Sequence, residues 1–182
     1  MYRNIQDPAG YPSTWERAAL TLDQRPYRIR PIRPDDLARD REFIMGLSEE
    51  SRYRRLMHAV KEPSSDMLDS FVHVNYCSTM AFVAIVDGPD GEQFIGVARY
   101  ASTGSPQEAE FAVAVADDWQ RSGVGATLTR TLIDYARERG IHQLHGDVLV
   151  DNSRMLDMVR WLGMNVRSQP GSPGLVEATQ SL

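Results

Sequence analysis

The chain has a single cysteine, Cys77, among 182 residues. One thiol excludes an intrachain disulfide and leaves a cysteine-based zinc site without its ligands. Long apolar runs are missing too: none approaches the roughly 18 residues that a membrane span requires. The first residues, Met1-Tyr2-Arg3-Asn4-Ile5-Gln6-Asp7, lack the apolar stretch of a secretory signal. Basic residues are not in excess: Lys+Arg 20 stand against Asp+Glu 25, a formal net charge of -5. That balance points away from nucleic acid as the main partner, while leaving room for a local basic pocket around a phosphate. His142 and His145 are three apart with no neighbouring carboxylate, a poor metal pair. The expectation is a cytoplasmic protein with no membrane, nucleic-acid or metal partner.

What is present is ordinary globular matter, with 42% hydrophobic and 25% charged residues, enough for one core. Residues 1–13 hold Pro8, Gly10 and Pro12 without periodicity and read as a tail or strap, with Tyr11 and Trp15 packed on the core; residues 14–182 read as one domain. Strands are expected over 18–22 and 27–32. Helices follow from Pro34, from Ser48 to about Met57, and from Ser64, each opened by proline, serine or acidic residues. Residues 80–86 are apolar throughout, as in a strand buried on both faces. A Gly88-Pro89-Asp90-Gly91 turn leads to a strand over 94–100, and the next strand covers 108–116. In that strand Ala109, Phe111, Val113 and Val115 share one face, and Glu110, Ala112 and Ala114 the other. Val124, Leu128, Leu132 and Ala136 mark an amphipathic helix ended by Gly140. A strand over 144–150, a helix over 152–162 ended by Gly163, and two short strands within 164–175 complete the chain. The charge run Arg52, Arg54, Arg55 reads first as a solvated helix face, and second as a lip over an acceptor site.

The strongest chemical signal is Gln120-Arg121-Ser122-Gly123-Val124-Gly125-Ala126-Thr127, between a strand and a helix. Glycines there let a ligand approach the backbone, and the helix start offers unpaired N–H groups to a phosphate. The segment lacks the lysine of a P-loop, and Leu128 stands where a dinucleotide loop needs its third glycine. The remaining Gln/Arg-x-x-Gly-x-Gly/Ala pattern resembles motif A of the GNAT N-acetyltransferase superfamily, matched by Gln120, Gly123 and Gly125. Residues 148–155, followed by Trp161-Leu162-Gly163-Met164, resemble its motif B, with Asn152 and Gly163 matching and Met164 in place of the usual phenylalanine. Asn152 suits a plain helix N-cap equally well. The segments Tyr11-Pro12-Ser13, 29–36, 47–55 and Ala109-Glu110-Phe111-Ala112-Val113 are similar to the catalytic domain of Pat-type bacterial protein lysine acetyltransferases. Those enzymes often carry a further acyl-CoA-synthetase-like or cyclic-nucleotide-binding domain, for which this chain is too short.

The resemblance implies an α/β GNAT fold, a mixed and mostly antiparallel sheet splayed where acetyl-CoA enters, flanked by helices. It implies acetyl-CoA as co-substrate, held by residues 120–127 with Val113, Ala114 and Val115, and with Asn152 and Met155 beside the pantetheine arm. It implies transfer to an amine, favouring a protein lysine, with Glu110 as general base, since an ammonium of pKa about 10.4 is not nucleophilic near neutrality. N–H groups near Val113 to Val115 are expected to face the oxyanion. The tyrosine that many members use as general acid would fall at Val159, and Trp161 cannot replace it. The rivals are a small-molecule acetyltransferase, acting on a polyamine, amino acid or antibiotic, and a non-catalytic acyl-CoA-binding module. A homodimer stays open.

Overall fold

The computed structural model describes residues 10–57, 62–89, 91–169 and 171–182. Most of the proposed tail, residues 1–9, and Asp90 and Pro170 of two expected turns lie outside them. The strands are β1 (Arg17–Leu20), β2 (Pro26–Pro31), β3 (Thr79–Gly88), β4 (Gly91–Thr103), β5 (Ser105–Val115), β6 (Gln143–Leu149), β7 (Asn165–Ser168) and β8 (Leu175–Ser181). The helices are α1 (Leu37–Gly46), α2 (Glu49–Leu56), α3 (Ser65–Val72), α4 (Val124–Glu138) and α5 (Ser153–Trp161). The strands form one sheet in the order β1-β2-β3-β4-β5-β6-β8-β7.

The unbroken apolar run of residues 80–85 explains why β3 lies inside the sheet: every one of these side chains is buried, as a strand covered on both faces must be. One face packs against α4 and α5, through Phe82, Tyr100, Leu128, Leu132 and Tyr135. The other packs against α1 and α3, through Phe43, Ile44, Leu68, Val72, Val83 and Val97. Gly96 permits the close approach of α4, because a Cβ there would lie 2.9 Å from a Leu128 methyl. Two aromatic residues near the start of the described chain pack on the core: the Tyr11 ring meets Tyr76 edge-on, and Trp15 packs on Phe82 and Tyr135.

Two features position the site. Every neighbouring strand pair is antiparallel except β5 with β6. That parallel pairing stops at Glu110↔His145, whereas β5 stays paired to β4 as far as Val115. The sheet therefore opens between β5 and β6 from Phe111 onward. At the fork, Gly146 leaves room for Phe111: a Cβ on Gly146 would sit 2.8 Å from the Phe111 carbonyl oxygen. The C-terminal strands differ from expectation. β7 falls within 164–175, but β8 begins at Leu175, runs to Ser181 and inserts between β6 and β7. Its Glu, Thr and Gln residues hide the strand signal, which comes from backbone pairing along the whole of β6.

Candidate active site

A cleft of about 1090 Å³ follows the open edge of β5. Strand parity decides what that edge offers. The Ala116 N–H donates to Ile95 on the β4 side, while the Gln107 carbonyl accepts from His142 on the β6 side. Alternation then turns the backbone groups of Phe111, Val113 and Val115 into the fork. All three stand beyond the last β5–β6 pair and line the cleft.

At one end of the cleft lies the start of α4. Arg121 (φ 62) and Gly123 (φ 91) take left-handed conformations, a geometry in which successive N–H groups can converge on an anion. The first helical bond of this turn runs from the Thr127 N–H to the Gly123 carbonyl, so the N–H groups of Val124, Gly125 and Ala126 precede it and lack intrahelical partners. A Cβ on Gly125 would lie 3.2 Å from Val115 Cγ2 and 3.3 Å from Met158 Sδ, filling the gap between α4, β5 and α5. Arg121, Arg130 and Arg154 line the cleft around this entrance. They supply a local basic pocket in a chain of net charge -5.

Gln120 ties the loop to both walls. Its Oε1 accepts from Arg154 at the start of α5, and its Nε2 donates to the Ser51 hydroxyl (3.1 Å) and the Val115 carbonyl (3.3 Å). Asp117 anchors the same region, accepting from the Ser48 N–H and hydroxyl (2.9 Å each) and the Ser51 hydroxyl (2.7 Å). Desolvation pushes the Asp117 carboxyl up, but these hydrogen bonds outweigh it and hold the group below the usual carboxylate range.

At the other end, Glu110 is exposed and lines the cleft. Arg54, Arg55, Met57, Met67 and Phe71 line the same cleft, and Glu110 is near enough to Arg55 to act on its charge. Arg54 is paired to Glu50 at 2.6 Å, and Arg55 sits half-buried over the Phe71 ring, 5.4 Å from its centroid. The run Arg52-Tyr53-Arg54-Arg55 is thus not simply a solvated face: α2 turns Arg54 and Arg55 toward the cleft.

Most of the residues singled out in the sequence meet at this cleft: Glu110, Val113, Ala114, Val115, Gln120, Arg121, Gly123, Gly125, Ala126, Thr127, Asn152 and Met155. Ser122 and Val124 do not line it. The Ser122 hydroxyl is buried on the Trp119 carbonyl, and the Val124 side chain is fully buried in the core, so only their backbones can serve a ligand. Asn152 caps α5, its Oδ1 accepting from the Met155 N–H. Val159 is fully buried, and no tyrosine, histidine or cysteine lines the cleft among the described residues. His145 Nε2 pairs with the Thr103 hydroxyl at 2.9 Å. Sequence reasoning missed Leu22, Phe71, Trp119, Arg130 and Trp161, which reach the cleft from distant elements. Trp119 carried one signal: it stands directly before the glycine loop.

Residues 42–164 match the Acetyltransferase (GNAT) family model. The chain is 39% identical over 149 residues to an acetyltransferase of Pseudomonas aeruginosa, covering 81% of this chain and 80% of that one. It is 31% identical over 138 residues to acetyltransferase Pat of Mycolicibacterium smegmatis, covering 75% of this chain but 40% of that longer protein. The crystal structure of the GNAT domain of S. lividans PAT superposes with a TM-score of 0.86 at 29% identity, covering 94% of this chain and 99% of that one.

Proposed function

The chain belongs to the GNAT acetyltransferase family, and on that premise we propose that it moves an acetyl group from acetyl-CoA to a protein lysine side chain, with Glu110 as general base. Acetyl-CoA is the co-substrate of this family, and it supplies the activated thioester. The residues present fit it: an α4 start with free N–H groups, a glycine whose Cβ would fill the gap beside it, and a basic rim. The N–H groups of Val124, Gly125 and Ala126 would hold the pyrophosphate, with Arg121 adding charge at the rim. The open backbone edge of Val113 and Val115 would pair with the pantetheine arm and face the negative charge that develops on the acyl oxygen.

One observation carries the reading: the anion-binding α4 start and the Glu110 carboxylate lie at opposite ends of one cleft along the same strand edge. Direct attack then needs one proton removed from the incoming ammonium. Of the carboxylates lining the cleft, Glu110, Asp147 and Asp157, Glu110 is assigned this role because it stands on the open strand β5 and matches the glutamate of the Pat-type segment. No tyrosine is placed to protonate the departing thiolate among the described cleft residues, so the thiolate leaves unassisted or with help from water. The likeness to acetyltransferase Pat, over 75% of this chain, favours a lysine presented on a protein as the acceptor.

The test is acetyl transfer from acetyl-CoA to added proteins, followed by mass spectrometry. The chain has a single lysine, Lys61, so acetyl groups on its own side chains cannot be confused with those on the acceptor. Transfer to lysines of the added protein, faster than to free polyamines and amino acids, supports the reading. The reverse preference overturns the choice of acceptor.

A further inference from the structure

We propose that Arg55 is a carboxylate-binding subsite at the acceptor end of the cleft, so that the preferred acceptor carries an acidic group close to the amine that is acetylated. This rests on the acceptor reading above and deepens it.

A buried acid lies on the core side of this arginine. Asp40 on α1 is 1% exposed, and neither carboxylate oxygen has a hydrogen-bond partner. Its nearest cation is Arg99 on β4, with Nη2 3.6 Å from Oδ1. Burial pushes the Asp40 carboxyl up, while Arg99 and Arg55 pull it down. Arg99 donates to the Phe71 carbonyl at 3.2 Å and stacks 4.0 Å over the centroid of its ring. Arg55 lies over the same ring at 5.4 Å. Asp40 and the Phe71 ring therefore form a seat beneath Arg55 from the core side, with Arg99 holding Asp40 and Phe71 in place.

Among the described residues the seat brings no ion pair to the Arg55 guanidinium. The carboxylates that act on Arg55 are Asp40 and Glu110, and neither forms an ion pair with it among the described residues. Its neighbour Arg54, by contrast, is neutralised by Glu50 at 2.6 Å. A half-buried guanidinium presents a rigid fork of N–H donors that matches a carboxylate in two parallel hydrogen bonds. Leaving that fork empty costs desolvation that a ligand carboxylate would recover. Since Arg55 and Glu110 line the same end of the cleft, the wall offers a carboxylate for the incoming ammonium and a guanidinium for an anion beside it. Met57, Met67 and Phe71 line the same cleft and supply apolar surface for an aliphatic stem.

Such an anion has two sources, the side chain of an Asp or Glu flanking a lysine or the α-carboxylate of a free amino acid. Both are tested by calorimetry on the full chain saturated with coenzyme A. The probes are a blocked Gly-Glu-Lys-Glu-Gly peptide, its Gln-Lys-Gln counterpart, free lysine and lysine amide. The proposal expects the acidic peptide to bind about tenfold tighter than the neutral one, the range of one charged hydrogen-bonded contact. Arg55→Gln should erase that preference, Arg55→Lys should keep part of it, and coenzyme A affinity should not change in either. A preference for free lysine over its amide that depends on Arg55 assigns the subsite to an amino acid instead. Equal binding of all probes, no binding by any, or a preference that survives Arg55→Gln overturns the proposal. The comparison between peptides needs no variant, so a folding defect in Arg55→Gln does not protect it. Acetyl transfer is read in parallel samples that hold acetyl-CoA in place of coenzyme A. An Arg55-dependent binding preference without acetylated peptide refutes the acceptor reading and leaves the subsite standing, whereas acetylation without preference does the opposite.

Discussion

At the scale of single residues, the cleft depends on where side chains are missing. Gly146 faces the Phe111 carbonyl at the point where β5 and β6 part, and a Cβ there would stand 2.8 Å from that oxygen. Backbone cannot give way as a flexible side chain would, so Gly146→Ala should lower stability by about 1–3 kcal/mol, the usual cost of overpacking. Urea unfolding of the variant measures it; a loss within a few tenths of a kcal/mol would mean that the fork tolerates closer strands. Glu110 is the opposite case, a side chain whose charge is the point. Glu110→Gln keeps its size and removes its basicity, so kcat should fall on the order of 10²–10⁴-fold, the ordinary contribution of a general base, with acetyl-CoA affinity unchanged. A variant with wild-type kcat would remove Glu110 from the chemistry. Alternation along 109–115 sets Glu110 on a face with two alanines, and the resemblance of Ala109-Glu110-Phe111-Ala112-Val113 to the Pat-type segment, more than the alternation, singles it out as a candidate base. Arg55 is not legible in the same way. A run of arginines on a short helix looks solvated until Phe71, Asp40 and Arg99 are seen beneath it.

At the scale of elements, α2 and the loop before α4 act as one wall of the cleft, and Asp117 joins them. Its carboxylate accepts from Ser48 and Ser51 on one side, and the Gln120 amide adds a contact at 3.3 Å. Because these bonds lower its folded pKa, the stability they add is fully present above the unfolded aspartate pKa of about 3.9. It is lost as pH falls through the lower folded value. Asp117→Asn should therefore lower the urea midpoint at pH 7, and the gap from wild type should close below about pH 3.9. A gap that persists in strong acid would assign the effect to something other than the carboxylate charge. Sequence patterns located the strands and helices where turn chemistry and periodicity agreed, as in β3 to β5 and in α4. They missed the length of β8, because Glu177, Thr179 and Gln180 interrupt its apolar pattern and its pairing with β6 is long-range, from Leu149↔Leu175 out to Gln143↔Ser181. They also missed Leu22 and Trp161 at the cleft, since long-range packing leaves no local period.

At the scale of the whole molecule, a sheet that is continuous on one side of β5 and open on the other makes a slot through an otherwise closed layer. The slot should be occupied by acetyl-CoA, so ligand at about 100 times its Kd should stabilise the folded chain by about 2.7 kcal/mol through mass action. Thermal unfolding with and without acetyl-CoA reads this as a rise in Tm of a few degrees; an unchanged Tm at that ratio would mean that the ligand does not select the folded state. Binding of acetyl-CoA along the fork by the glycine loop at the α4 start is the central requirement, and calorimetric titration of wild type and Gly125→Glu meets it most directly. The glutamate would enter the gap beside Val115 and Met158 and set a negative charge where the phosphates should lie. Tight wild-type binding that disappears in Gly125→Glu, with the fold retained by circular dichroism, is the predicted result. Equal affinities in the two proteins, or no binding by the wild type, would contradict it.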